Sequence, residues 1–249
     1  MKPELNWHNR FTQQASWTIS LRKYLYEQVD LYHANRVLEV GCGTGAILSD
    51  LKDYTKASIH GLDLDHMRLL EACMNAPIVA YAQGNAFFLP YPSLSFDVTF
   101  CHFFLLWVKS PLEVLMEMRR VTRPGGAVLL MAEPDYDHRV DLPQELEAIG
   151  LLQNQALQKQ GADLAMGSKL SNLIRQAGIN LVEGGLLQKE QPGSWEMKSS
   201  EIEWEVLESD LEGTESPATM ASLKKIDMDA RRSGKRVLNI PTYFAFGRV

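Results

Sequence analysis

Three cysteines in 249 residues, Cys42, Cys73 and Cys101, are too few and too widely spaced for a disulfide framework, and no CxxC pair suggests zinc or an iron–sulfur cluster. They are expected to be reduced thiols, and no metal site is expected. A long apolar run is also missing. The stretch 96–108 carries Asp97 and His102 and is too short to span a bilayer. The opening MKPELNWHNRF has no apolar segment of the secretory kind, so a cytoplasmic, soluble protein is expected. Cationic excess is lacking too: 25 Lys and Arg stand against 31 Asp and Glu, a net charge of −6. No overall positive field exists to hold a polyphosphate backbone, so nucleic acid is not an expected partner, although a local basic patch stays open. GxxxxGK[ST] is absent, which removes the P-loop NTPases, and there is neither an internal repeat nor a low-complexity tract. What remains, 45% hydrophobic and 22% charged, is the composition of a globular chain able to bury its own core.

Short runs rich in Val, Ile and Phe recur at 36–40 (RVLEV), 57–63, 77–83, 95–103 and 126–132, as expected for buried strands of a largely parallel sheet. Between them lie helical segments with readable ends. Asp65 can cap HMRLLEACMN, in which Met67, Leu70 and Met74 share one face. Ser110-Pro111-Leu112-Glu113 reads as a capping box, and Arg123-Pro124-Gly125-Gly126 as a turn. Strand and helix alternating from 36 to 132 predict a doubly wound α/β sheet. One or two helices precede it, with Trp17, Leu21, Tyr24, Leu25 and Val29 able to share a face. After it come helices opening at Pro143 and Ser168, a strand near 179–188, two helices within the polar stretch 189–238, and a final aromatic strand, NIPTYFAFGRV.

The most informative segment is VLEVGCGTG, where Gly41, Gly43 and Gly45 leave a strand and enter the helix that begins at Ala46. Such a bend lets a ligand approach the backbone, and free N–H groups at the following helix favour an anionic group. Asp63 lies about twenty residues beyond Gly41, at the end of the second strand, where a carboxylate can accept from both hydroxyls of a ribose. A nucleoside-bearing ligand fits this pair better than a tight turn beside a solvent-facing aspartate. Gly41, Gly43 and Ala46 also satisfy GxGxxA, so a nicotinamide dinucleotide, and with it an NAD-dependent oxidoreductase, is a rival reading.

Four motifs in order, VLEVGCGTG, GLDLD (61–65), QGNAFFLPYPSLSFDV (83–98) and RPGGAVLLMAEPD (123–135), resemble the class I S-adenosylmethionine-dependent methyltransferases. Within that family they are similar to the small-molecule type 11 group, which includes ubiquinone- and menaquinone-pathway enzymes. The resemblance covers about residues 35–135. It implies a Rossmann-like, mostly parallel seven-stranded sheet with an antiparallel C-terminal strand, N-terminal lid helices and a helical insertion before the last strand. It also implies one domain: lid helices over 1–34, a cofactor-binding core over 35–135, and the rest of the sheet with substrate-side helices over 136–249. Gly41, Cys42, Gly43 and Gly45 would line the amino-acid end of S-adenosylmethionine, with Glu39 near its α-amino group. Asp63 would hold the ribose, Leu64 would pack on adenine, Ala86 would offer its N–H to the ring, and Cys101 its carbonyl to the amino group. Asn85 stands where the family has aspartate at the adenine N6. Its amide oxygen still accepts from that amine, so weaker adenine recognition is implied.

An activated sulfonium methyl requires alignment of a nucleophile more than an acid or a metal. Should the acceptor carry a proton, candidate bases lie at the ends of the fourth and fifth strands: His102, and Glu133 and Tyr136 within the cluster Glu133, Asp135, Tyr136, Asp137 and His138. Each also has a plain reading, a packed histidine and a charged loop. The lid resemblance would put Trp17 or Arg22 near cofactor or substrate, while area burial makes Trp17 a core residue. Trp195 and Trp204 suit either a substrate pocket or helix packing. The cluster Lys224, Lys225, Arg231, Arg232, Lys235 and Arg236, broken by Asp227 and Asp229, reads as a solvated helix face. Neither NPPY nor DPPY follows the fourth strand, nor a Pro-Cys pair, which excludes the adenine-N6 and cytosine-C5 DNA methyltransferases. The expected activity is methyl transfer to O, N or C of a small molecule, giving S-adenosylhomocysteine. The alternative is a protein that binds the cofactor, or regulates, without transfer. Acceptor and oligomeric state are not readable.

Overall fold

The computed structural model describes residues 6–187, 197–213 and 215–249. Its strands in chain order are β1 (Arg36–Val40), β2 (Ser58–Asp63), β3 (Ala80–Gln83), β4 (Phe96–His102), β5 (Thr122–Pro134), β6 (Val140–Leu142), β7 (Asn180–Leu186), β8 (Val237–Asn239) and β9 (Thr242–Arg248). Seven form one sheet in the order β3-β2-β1-β4-β5-β9-β7. Its pairs from β3 to β5 are parallel, and β9 runs antiparallel to both β5 and β7. The fold is the expected doubly wound Rossmann-like sheet with an antiparallel last strand. β4 is buried at every residue but His102, as helices on both faces require, whereas β7 alternates exposed and half-buried residues as an edge strand does. β6 and β8 form a separate two-stranded ribbon that no sequence signal announced.

The helices are α1 (Trp7–Ser16), α2 (Ile19–Gln28), α3 (Leu48–Leu51), α4 (His66–Asn75), α5 (Pro111–Val121), α6 (Glu147–Lys159), α7 (Met166–Gln176), α8 (Met197–Asp210) and α9 (Pro217–Arg232). Asp65 caps α4 by accepting from the amides of Met67 and Arg68, and Ser216 caps α9 by accepting from Thr219. Ser110 precedes α5 but donates to the Glu113 carboxylate at 2.9 Å instead of capping an amide. The helix expected at Ala46 is reduced to the four residues of α3, and Arg123–Gly126 is drawn into the long β5.

Two apolar clusters cover the faces of the sheet, and a third lies among α6, α8 and α9, around Leu146, Ile149, Trp204 and Leu211. Three expectations fail on packing. Met67, Leu70 and Met74 point outward, and Leu69 and Ala72 turn inward, because β2 and β3 lie on their side of α4. Trp17 is 44% exposed and stacks under the Arg10 guanidinium instead of entering the core. Arg231 and Arg236 are not solvated: both bond the buried Asp227 carboxylate, at 2.7 and 2.6 Å, and reach on to Glu203 and Asp141. Trp204 is buried in the third cluster and donates to Asp227 at 2.8 Å, so it packs helices; Trp195 lies outside the described residues.

Candidate active site

The chain reverses strand order between β1 and its neighbours β2 and β4, and the crevice beyond their C-terminal ends is where such sheets take ligands. The bend after β1 opens into that crevice. Gly41 has φ +76° and Gly43 φ +50°, in the left-handed region, and a Cβ on Gly41 would run into the Phe104 ring. The amides of Gly41 and Cys42 both donate to the Leu62 carbonyl, at 2.8 and 3.0 Å, which ties the bend to the end of β2. Asp63 is thereby brought against the bend: its Oδ2 accepts from the Gly43 amide at 2.7 Å and its Oδ1 from the Asp65 amide at 2.9 Å. The two features paired from the sequence therefore meet.

A cleft of about 410 Å³ opens here. Glu39, Gly41, Cys42, Gly43 and Asp63 form its floor, and Trp7, Arg10, Phe11 and Gln14 of α1 its roof. His102, Phe103, Phe104, Trp107 and Tyr136 line the wall beyond β4 and β5, and Gln153, Gln160 and Asp210 close the far end. The roof is fastened. His8 Nδ1 lies 2.9 Å from the Thr44 hydroxyl and 3.0 Å from Asn75 Nδ2, Phe11 rests on Gly43, and Arg68 sits over the rings of Trp7 and Phe11.

Glu39 is buried, and its Oε2 has no hydrogen-bond partner. Burial holds its carboxyl well above the usual range, opposed by Arg22 and reinforced by Asp63. An unpartnered carboxylate oxygen on the floor of a cleft is a seat for a cationic group. Beside a bend that admits a ligand to the backbone and a carboxylate placed for a ribose, it gives a donor set that fits S-adenosylmethionine, with its ammonium, sulfonium and ribose.

The remaining residues of interest are arranged less uniformly. Gly45, Leu64, Asn85, Ala86 and Cys101 are not part of the cleft lining. Leu64 is exposed at the end of β2, and Cys101 is a buried thiol inside β4. The Asn85 oxygen accepts from the Phe87 amide at 3.0 Å, and Ala86 packs on the core at that turn. His102 faces the cleft, and its Nε2 lies 3.0 Å from the Thr18 hydroxyl. That hydroxyl donates to the Ala15 carbonyl, so Nε2 carries the ring hydrogen and Nδ1 is left as acceptor. Burial, with the Arg22 charge, pushes His102 down to about 3. Glu133, buried and pushed up by burial to about 7, accepts the amides of Phe104, Leu105 and Leu106 and so clamps the turn after β4. Tyr136 lines the cleft, its hydroxyl pushed up by burial. Asp135 is buried and accepts from exposed His138 at 3.0 Å.

Sequence reasoning missed Arg10 and Phe11, the aromatics Phe103, Phe104 and Trp107, and Gln153, Gln160 and Asp210. The aromatic run directly after β4 was a usable signal, since it follows a strand that ends at the crevice. Nothing local marks Asp210.

The family described as methyltransferase domain matches residues 38–130. The chain is similar to a malonyl-[acyl-carrier protein] O-methyltransferase of Halorhodospira halophila, 37% identical over 101 residues, covering 39% of this chain and 34% of that protein. It is also similar to a demethylmenaquinone methyltransferase of Shouchella clausii, 32% identical over 126 residues, covering 48% and 52%. The chain thus spans between about a third and a half of these relatives. In fold it is similar to phosphoethanolamine N-methyltransferase 2 of Haemonchus contortus in complex with S-adenosyl-L-methionine, with TM-score 0.57, 16% identity and coverage of 92% of this chain and 52% of that one. The match over residues 38–130, which spans the glycine bend and Asp63, together with the strand order makes this chain similar to the class I S-adenosylmethionine-dependent methyltransferases of type 11.

Proposed function

We propose that this protein transfers a methyl group from S-adenosylmethionine to O, N or C of a small-molecule acceptor. The observation that carries the reading is the meeting of the Asp63 carboxylate with the Gly43 amide beside the unpartnered Glu39 oxygen, in one cleft. S-adenosylmethionine supplies a sulfonium methyl: the acceptor's lone pair bonds to that carbon, the carbon–sulfur pair stays on sulfur, and any acceptor proton passes to solvent. Glu39 holds the ammonium, Asp63 the ribose, and the bend from Gly41 to Gly45 the chain between them. Leu64, Asn85, Ala86 and the Cys101 carbonyl serve the adenine and the amino group as the family resemblance implies. Roofing by α1 excludes water, and the wall from His102 to Tyr136 positions the acceptor. His102 serves as a neutral hydrogen-bond acceptor, since a group with a pKa of about 3 is a poor proton carrier at neutral pH. Glu133 keeps its structural clamp. A cytoplasmic location goes with this reading; no helix among the described residues is long and apolar enough to cross a membrane.

A second reading, cofactor binding without transfer, is favoured by one observation: of the two candidate bases at the ends of β4 and β5, His102 is held neutral with a pKa of about 3 and Glu133 is engaged by three amides. Calorimetry with S-adenosylmethionine, S-adenosylhomocysteine and NADH separates cofactor classes, and NADH binding without response to the other two defeats the proposal. Release of S-adenosylhomocysteine across quinol, phenol, amine and carboxylate acceptors separates enzyme from binder.

A further inference from the structure

The cleft carries two opposite charges, Arg10 and Asp210, that no described residue neutralises. Arg10, on α1, gives one N–H to the Gln13 side chain and lies 5.1 Å over the Trp17 ring, and no carboxylate among the described residues stands within ion-pairing distance. Asp210, at the end of α8, has no cation beside it among the described residues. It accepts instead from Gln153 Nε2 and Gln160 Nε2, both at 3.1 Å.

The Asp210 carboxylate is held from behind by a chain of buried groups. Arg139 donates to Gln153 Oε1, which obliges the amide to aim its NH2 at Asp210. Arg139 is fixed by Asp141, and Asp141 by Arg236 at 2.7 Å. A wall residue braced through four buried or half-buried partners is preorganised to meet a ligand group.

Tyr136 stands within electrostatic reach of both charges: after burial, Arg10 lowers and Asp210 raises the pKa of its hydroxyl. Arg10, Tyr136 and Asp210 line one cleft. Phe103 and Trp107 line the same cleft as both charges and give it an apolar surface.

Resting on the methyl-transfer reading for the identity of the Tyr136 wall as the acceptor side, we infer that the acceptor is a small amphoteric molecule of the amino-acid class. Its anionic group lies on the Arg10 guanidinium, its amine donates to Asp210, and its apolar part covers Phe103 and Trp107. A single charge leaves one of the two wall charges without a partner in a half-buried site, which costs binding free energy.

A matched set, phenylalanine, phenethylamine and hydrocinnamate, tests this by calorimetry with the wild-type chain saturated with S-adenosylhomocysteine. Phenylalanine is expected to bind at least about tenfold more tightly than either singly charged probe, one charge-assisted hydrogen bond being of that order. Asp210→Asn should erase its advantage over hydrocinnamate and Arg10→Gln its advantage over phenethylamine, each leaving S-adenosylhomocysteine affinity within about twofold. Equal binding of the three probes, or no binding of any at millimolar concentration, overturns the inference. So does an Arg10→Gln variant that loses S-adenosylhomocysteine instead of the probe, which would give Arg10 to the cofactor's carboxylate. If the wild type binds no S-adenosylhomocysteine, the methyl-transfer reading fails, and the same probe comparison on the unliganded chain still decides the charge preference.

Discussion

Asp63 shows how a single side chain can join two segments. Its two oxygens accept from Gly43 and Asp65, so the carboxylate holds the bend in shape before any ligand arrives. Asp63→Ala should weaken S-adenosylhomocysteine binding by about 1.5–3 kcal/mol, the scale of a charge-assisted hydrogen bond. An unchanged dissociation constant by calorimetry would remove Asp63 from the site. His102 makes a prediction of a different kind. Its folded pKa of about 3 lies below the value near 6.5 of an unfolded histidine, so the unfolded chain binds the extra proton. The stability contributed by keeping it neutral is complete above pH 6.5 and is lost as pH falls toward 3. Between pH 7.5 and 5 the wild type should lose about 1–2 kcal/mol more than His102→Asn, the range allowing for screening at the cleft wall. Parallel urea-melt curves for the two proteins across that range would refute it.

At the scale of elements, α1 is the part that covers the cleft. It roofs the cleft and is fastened through His8 to Thr44 of the glycine bend and Asn75 of α4. Beside them Phe11 rests on Gly43 and Arg68 sits over the rings of Trp7 and Phe11, and polar ties of this kind open below the global unfolding free energy. His8→Ala should remove about 0.5–1.5 kcal/mol of local closure. Hydrogen exchange would show it as a three- to tenfold loss of protection over 7–16, with the β4 amides unchanged. Loss of protection throughout the sheet instead would mean that α1 is integral to the core. The elements themselves were largely legible in the sequence. RVLEV coincides with β1, and the helix after Asp65 begins and ends as its cap and periodicity indicate. Buried strands and capped helices are short-range patterns. The face of α4 was not legible, because two apolar stripes compete on that helix and only the neighbouring strands choose between them.

At the scale of the whole molecule, the arginines of α9 and the turn after it link the last third of the chain to the ribbon beside the sheet. Asp227 accepts from Trp204, Arg231 and Arg236, and Arg236 reaches Asp141 of β6. Removing one partner of such a network strands buried charge, so Asp227→Asn should cost about 3–5 kcal/mol in chemical denaturation. Asp229→Asn, a half-exposed neighbour paired to Arg232 at 3.5 Å, should cost well under about 1 kcal/mol. Similar losses for the two would mean that the network is not coupled to global folding. The same network braces Asp210, so the far wall of the cleft depends on contacts between residues nearly a hundred positions apart.

What the sequence determined unaided was the alternation of strands and helices, the glycine bend and the acidic residue at the end of the next strand. Each depends on local backbone preference or on a spacing inside one supersecondary unit. Only the tertiary structure decided that Trp17 lies at the surface, that Arg231 and Arg236 are paired inside, that Glu133 clamps a turn and that Asp210 faces the cleft. Burial and ion pairing follow from which distant segments pack together, and that information is carried by the assembled sheet and its helices, not by any short stretch of chain.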